Sequence, residues 1–99
     1  MPARIDIPRE EIAEVCRRYR VHRLALFGSV IRDDFRPESD VDVLVEFEPG
    51  YAAGFEFFDM RYELIDLLNR EVDLHTPASL SPYFRQEVLD EAEEIYVSP

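Results

Sequence analysis

The chain has 99 residues, 46% hydrophobic and 33% charged, which excludes a disordered tail and a membrane protein. Its 11 basic and 22 acidic residues give a net charge of −11, and every basic residue is an arginine, so broad contact with a nucleic acid backbone is not expected. The length predicts one domain over 1–99. Without an apolar run long enough to span a membrane or a visible signal peptide, the sequence predicts a cytoplasmic protein that binds no membrane.

In the first half of the chain, the spacing of apolar residues changes from one typical of a helix to one typical of strands. Residues 8–19 predict a helix whose apolar positions recur at helical spacing, namely Ile12, Val15, Cys16 and Tyr19. Residues 21–27 predict a strand, followed by a short turn and a polar loop over 33–39. Residues 41–48 predict a second strand with strict alternation of its two faces.

The second half predicts two more helices and two more strands. A helix over 55–68 is expected to end at Asn69 in a left-handed cap and to face the sheet with Phe58, Tyr62, Ile65 and Leu68. A strand is predicted over 71–75, a helix from Ser81-Pro82 through about residue 93, and a last strand over 95–97. The order predicts an α/β (α+β) fold, a small mixed β-sheet with flanking helices.

The first candidate functional feature is Gly28-Ser29, at the end of the strand over 21–27. Glycine lets the backbone approach an anion closely, and the following amides and serine hydroxyl can donate hydrogen bonds to phosphate oxygens. Turns of this composition are also common without a ligand. The pair alone therefore favours a structural turn over a phosphate site.

The second feature is a set of carboxylates, Asp40 and Asp42 at the start of one strand and Asp73 within another. Residues two apart in a strand point the same way, with Cα atoms about 6–7 Å apart. Repulsion between the first two carboxylates is relieved by Mg²⁺ or Mn²⁺. If the two strands are neighbours, Asp73 completes a two-metal phosphoryl-transfer centre. The alternative is a solvated strand end.

In this order the motifs resemble a known family. Gly28-Ser29, ten further residues, Asp40-x-Asp42 before Val-Leu-Val, and a later Val-Asp73-Leu are similar to the nucleotidyltransferases of the DNA polymerase β superfamily. The segments over 27–32 and 39–45 resemble more narrowly the MntA-type minimal nucleotidyltransferases, which are antitoxins encoded beside HEPN-domain toxins. The resemblance implies a polymerase-β-type fold and transfer of AMP from Mg-ATP to a hydroxyl.

The same resemblance implies roles for individual residues. Gly28-Ser29 would hold the β- and γ-phosphates of ATP as cosubstrate. Asp40 and Asp42 would bind both of two Mg²⁺ ions, with Mn²⁺ as an alternative metal. Asp73 would bind the catalytic ion near the acceptor hydroxyl and accept its proton. These three aspartates are the expected catalytic and metal-binding residues.

Three neighbouring positions are less regular. Arg32 matches a recurrent arginine of the family, for which nucleotide binding and a structural salt bridge are equal alternatives. Ile31 stands where the family usually has a small residue, and Asp33 where it usually has glycine. Aspartate tolerates left-handed backbone, so the turn is expected to survive, although a carboxylate there would weaken phosphate affinity.

The implied acceptor is a HEPN ribonuclease toxin, modified at a tyrosine and held in a hetero-oligomer, with no direct contact to nucleic acid. Two alternatives remain open: a non-catalytic antitoxin that masks its partner, and a small-molecule nucleotidyltransferase that borrows helices from a partner subunit. The clustered acids argue against the first, because a pure binding module does not need them.

Other residues have simpler interpretations. His75 can share a face with Asp73, but a solvated strand histidine is the favoured interpretation. The aromatic cluster of the helix over 55–68 is expected in the core, namely Phe55, Phe57, Phe58 and Tyr62. Either Tyr51 or Phe55 could border the nucleotide base. Cys16 is expected to be a small core residue.

Overall fold

The computed structural model describes residues 5–32, 36, 38–51 and 53–99. Its elements in chain order are α1 (Arg9–Arg18), β1 (Val21–Phe27), β2 (Val41–Phe47), α2 (Glu56–Leu68), β3 (Val72–His75), α3 (Arg85–Glu91) and β4 (Glu93–Val97). Short 3₁₀ turns, Gly28–Ile31 and Pro77–Ser79, follow β1 and β3. Part of the predicted loop over 33–39, including Asp33, lies outside the described residues. No described helix is both long and apolar enough to cross a membrane.

The strands form a mixed sheet in the order β3-β2-β1-β4. β1 is antiparallel to β2 and β4, whereas β2 and β3 are parallel and joined through α2, because parallel neighbours need a crossover. Phe27 is aligned with Asp42, and Asp42 with Asp73, so these residues form one row across three strands. The predicted fold class, a small mixed sheet with flanking helices, is confirmed.

The two faces of the sheet carry different side chains. The valines at 41, 43 and 45 are fully buried in the core cluster that also contains Ile12 and Cys16 of α1. Because side chains alternate along a strand, Asp42 projects from the opposite face of β2. Val72 and Leu74 belong to the same core, so Asp73 projects from the opposite face of β3. Helices α1 and α2 and the carboxylates therefore lie on opposite sides of the sheet.

The predicted inward stripe of α2 is only partly correct. Phe58 and Tyr62 are 59% and 61% exposed, and Phe55, just before the helix, is 88% exposed. The buried residues of α2 are instead Met60, Leu64 and Leu68. The helix carries two overlapping apolar stripes that share Leu68, and local periodicity cannot choose between them. The expectation of an aromatic core cluster is therefore wrong, except for Phe57, which is partly buried against the core.

The third helix is shorter than predicted. Residues 82–84 form turns, and α3 begins at Arg85 rather than at Pro82. Ser81 still stabilises the turn over 82–84, because its Oγ accepts a hydrogen bond from the Tyr83 amide at 3.3 Å. Arg85 donates to the carbonyl oxygens of Pro77 and Leu80 and thereby binds the helix start to the preceding turn. The predicted left-handed cap of α2 is confirmed at Asn69, with φ of 57°.

Candidate active site

The turn after β1 approaches β2 very closely. Gly28 has φ of +75°, and a Cβ at this position would overlap Oδ2 of Asp42 and lie 3.2 Å from its Cγ. Glycine is therefore required both by the backbone conformation and by the space. Ser29 follows in the 3₁₀ turn and is half-buried. The turn thus brings the backbone of Gly28 to the edge of the Asp42 carboxylate.

Two carboxylates and one imidazole converge beside this turn. Single ligand atoms of Asp42, Asp73 and His75 all lie within 4.8 Å of one another. Nε2 of His75 is 3.2 Å from Oδ2 of Asp73 and 3.9 Å from Oδ1 of Asp42. The side chain of Asp42 is 29% exposed and that of Asp73 is 58% exposed. One carboxylate is thus sheltered, and the other is open to solvent.

The electrostatics of the site are unfavourable for two bare carboxylates. Burial raises the pKa of Asp42, and the negative charges of Asp73 and Asp40 raise it further. The positive charges of His75 and Arg32 oppose these effects but do not cancel them. The site therefore has an excess of negative charge, which a divalent cation would neutralise. Paired carboxylates are the oxygen donors that Mg²⁺ and Mn²⁺ take in proteins.

The structure brings some predicted site residues together and leaves others at the margin. Asp73 joins Asp42, as the sequence predicts for neighbouring strands. Asp40 is exposed and precedes β2, outside the group of converging ligand atoms, yet its charge acts on Asp42. Its role as a metal ligand stays a prediction, as do the phosphate-binding roles of Gly28 and Ser29.

Arg32 makes a salt bridge, which is one of the two roles that the sequence left open for it; the other is nucleotide binding. Its Nη2 donates to Oε2 of Glu91 in α3 at 3.0 Å. Its side chain is 52% exposed, and its charge lowers the pKa of Asp42, so it lies within electrostatic range of the site. The departure at Ile31 is absorbed by the core, where this residue is 4% exposed.

The interpretation of one individual residue is wrong. His75 is not a solvated strand residue, because its side chain is 27% exposed and touches both acids. The sequence signal for this position is the i, i+2 spacing of His75 from Asp73, which puts both side chains on the same face of the strand. Tyr51 and Phe55 lie beyond the C-terminal end of β2, whereas Asp42 lies near its N-terminal end. Tyr51 packs on Phe47, with ring centroids 5.6 Å apart, and contact of Tyr51 or Phe55 with a nucleotide base stays a prediction.

A mixed sheet with carboxylates aligned across its parallel strands, next to a glycine turn, is the arrangement of a nucleotidyltransferase. The family model of the nucleotidyltransferase domain matches residues 9–95, and the chain belongs to this family. It is an enzyme of the nucleotidyltransferase type, and its likeness extends to the MntA proteins.

Curated relatives and one solved structure share about a third of the sequence. Protein adenylyltransferase MntA of Thermococcus cleftensis is 34% identical over 84 residues, covering 85% of this chain and 82% of that protein. A candidate protein adenylyltransferase of Methanocaldococcus jannaschii is 32% identical over 87 residues, covering 88% of this chain and 92% of that protein. The structure of a candidate minimal nucleotidyltransferase is 37% identical with a TM-score of 0.71, covering 85% of each chain.

More distant structures share the fold alone. A toxin–antitoxin structure with AMP-PNP superposes with a TM-score of 0.72 at 20% identity, covering 93% of this chain and 75% of that chain. A structure of a tri-AMPylated Shewanella oneidensis HEPN toxin in complex with MNT antitoxin gives a TM-score of 0.63 at 21% identity, covering 91% and 70%. These proteins confirm the architecture of the sheet and its helices.

Proposed function

We propose that this nucleotidyltransferase transfers AMP from Mg-ATP to a tyrosine hydroxyl of a HEPN-domain ribonuclease toxin, and thereby acts as its antitoxin. The observation that carries the proposal is the turn at Gly28 packed against the Asp42 carboxylate, with Asp73 aligned beside it. Phosphoryl transfer depends mainly on positioning and charge neutralisation, and this arrangement serves both.

Each residue has a role in the proposed reaction. The turn over Gly28-Ser29 binds the β- and γ-phosphates through backbone amides and the serine hydroxyl. Asp42 and Asp73, together with Asp40, hold two Mg²⁺ ions. When bound, the ions would neutralise the charge of the triphosphate and favour loss of the proton from the attacking hydroxyl.

The proton of the acceptor hydroxyl passes to the carboxylate of Asp73 in the proposed reaction. This carboxylate is 58% exposed and so can be reached by a tyrosine presented from outside. The tyrosine oxygen forms a bond to the α-phosphorus, the bond from that phosphorus to the pyrophosphate oxygen breaks, and Asp73 accepts the phenolic proton. Pyrophosphate leaves.

The choice of acceptor is supported by the relatives and by charge. The MntA relative is named a protein adenylyltransferase, and one structural neighbour pairs an MNT antitoxin with a HEPN toxin that carries AMP. The net charge of −11 disfavours RNA and favours a basic protein. A masking antitoxin has no need for the converging acids of the site.

The test is incubation of the purified protein with its proposed HEPN-domain toxin, Mg²⁺ and ATP. Mass spectrometry is expected to detect AMP additions on a toxin tyrosine, and ribonuclease activity is expected to fall in parallel. Asp42→Asn is expected to abolish the additions, because a neutral amide cannot hold the metal charge. Asp66→Asn is the matched control, since this exposed aspartate lies on α2, on the opposite side of the sheet.

Thermal unfolding separates loss of chemistry from loss of fold. Asp42→Asn is expected to melt no lower than wild type without metal, because the change relieves repulsion with Asp73. Mg-ATP is expected to raise the midpoint of wild type and Asp66→Asn only, by binding the native state. If Asp42→Asn neutralises the toxin as well as wild type at equal concentration, masking accounts for the antitoxin effect, and the proposal that AMP transfer neutralises the toxin fails.

A further inference from the structure

The imidazole of His75 lies where a further metal ligand would be. A metal ion about 2.1 Å from its ligands places neighbouring ligands about 3.0 Å apart and opposite ones about 4.2 Å apart. The distances from Nε2 of His75 to the carboxylate oxygens of Asp73 and Asp42, 3.2 and 3.9 Å, fall within this range. The ligand atoms of Asp42 and Asp73 lie within 4.8 Å of each other, so one ion can contact all three side chains once the two carboxylates approach slightly.

The ring of His75 is held in this orientation by its surroundings. His75 belongs to β3 and is aligned with the buried Leu44 of β2, so its backbone position is set by the sheet. Its ring meets the ring of Phe27 edge to face, with centroids 5.4 Å apart and an interplanar angle of 62°. A ligand that is already oriented loses less conformational entropy when it binds.

Ligand chemistry then decides which ion the site prefers. Mg²⁺ takes oxygen ligands and retains its waters, whereas imidazole nitrogen favours first-row transition ions. Mn²⁺ accepts carboxylates and imidazole together. We infer that His75 is a ligand of the metal held by Asp42 and Asp73, and that its nitrogen makes this site prefer Mn²⁺ to Mg²⁺. The inference rests on the proposed function for the presence of a metal and adds its selectivity.

The experiment measures metal binding without nucleotide or toxin. Electron spin echo spectroscopy of Mn²⁺ bound to the wild-type protein is expected to show coupling to a directly bonded nitrogen. Competition of Mg²⁺ against Mn²⁺ is expected to show at least a tenfold preference for Mn²⁺, on the order of the effect of one metal-site contact. The absence of nitrogen coupling in wild type would overturn the inference.

Two variants of His75 and one control make the result specific. His75→Phe retains a ring next to Phe27 but removes the nitrogen, and is expected to lose the coupling and most of the preference for Mn²⁺. His75→Asp supplies oxygen instead, and is expected to bind metal with the preference shifted towards Mg²⁺. His22→Phe changes the other histidine, whose Nδ1 contacts Ser98, and is expected to retain wild-type binding. Circular dichroism establishes that each variant is folded.

The outcomes distinguish this inference from the proposed function. If both His75 variants keep the wild-type Mn²⁺ to Mg²⁺ ratio, the histidine only balances the charge of the acids, and the inference is wrong even where AMP transfer is observed. If wild type binds Mn²⁺ through nitrogen but transfers no AMP with either metal, the ligand assignment holds and the proposed reaction fails.

Discussion

At the scale of single residues, the site depends on a glycine that two constraints require at once. Gly28 and Gly50 both have positive φ, +75° and +83°. A Cβ at position 50 would meet nothing within 4 Å, whereas one at position 28 would strike the Asp42 carboxylate. Both positions therefore carry backbone strain when substituted, but only a substitution at position 28 also causes steric overlap.

Alanine at these two positions is expected to act differently. Gly50→Ala bears only the strain of a left-handed residue and is expected to lower the free energy of unfolding by about 1–3 kcal/mol. Gly28→Ala adds overpacking against Asp42, for a further loss of about 1–3 kcal/mol. Because the carboxylate must move, AMP transfer is expected to fail in Gly28→Ala and to persist in Gly50→Ala.

Urea unfolding and single-turnover AMP transfer measure the two effects in the same preparations. Equal losses of stability in Gly28→Ala and Gly50→Ala, with transfer intact in both, would contradict the close approach of the turn to Asp42.

At the scale of elements, α1 and α2 are joined by a polar cluster on the side away from the site. Arg18 donates to both carboxylate oxygens of Glu63, at 2.6 and 3.0 Å, and the hydroxyl of Tyr19 donates to the same carboxylate. The hydrogen bond to Glu63 is the main cause that raises the pKa of Tyr19 to about 12. The hydrogen bond from Arg18 is the main cause that lowers the pKa of Glu63.

The raised pKa of Tyr19 predicts an alkaline limit to stability. The native state holds the phenolic proton more tightly than the unfolded chain, whose tyrosines titrate near pH 10. Its contribution is therefore fully present below about pH 10 and lost as pH rises through about 12. Tyr19→Phe is expected to lower the free energy of unfolding by about 1 kcal/mol at pH 7 and to remove this pH dependence.

Denaturant unfolding from pH 7 to pH 11 tests this expectation. Tyr83→Phe is the matched control, because Tyr83 is 92% exposed. A stability profile for Tyr19→Phe that parallels wild type across the alkaline range would show that the hydroxyl does not join the two helices.

At the scale of the whole molecule, the hydrophobic core and the acidic site lie on different faces of the sheet. The helices α1 and α2 cover one face of the sheet and build the core, while the acids project from the other. A net charge of −11 extends the negative field well beyond the site. We therefore expect this field to attract a basic protein partner towards the face that carries the reactive groups.

The field predicts how salt affects association with the toxin. The association rate is expected to fall about tenfold between roughly 50 and 500 mM salt, because mobile ions screen the attraction. The dissociation rate is expected to change much less, since long-range steering acts on encounter. Stopped-flow mixing with the Asp42→Asn protein measures both rates without modification of the partner. An association rate independent of salt would exclude electrostatic steering.

The sequence by itself determined the elements and the motifs on them. The alternation of Val41, Val43 and Val45 identifies a strand and puts Asp42 on its other face, because this pattern depends only on neighbours along the chain. Asn69 likewise marks the end of α2, because a left-handed cap also depends only on the residues near it in the chain. The ordered glycine turn and carboxylates indicated the family before any strand pairing was known.

Only the tertiary structure decided how these pieces meet. The parallel register aligns Asp42 with Asp73 and brings His75 between them, and pairing across thirty-odd residues leaves no local signal. The rotation of α2, which buries Met60 and exposes Phe58, was likewise open, since two overlapping stripes satisfy the same periodicity. Packing of α2 against α1 and β3 selects one of the two stripes, because this packing determines which side chains of the helix are buried.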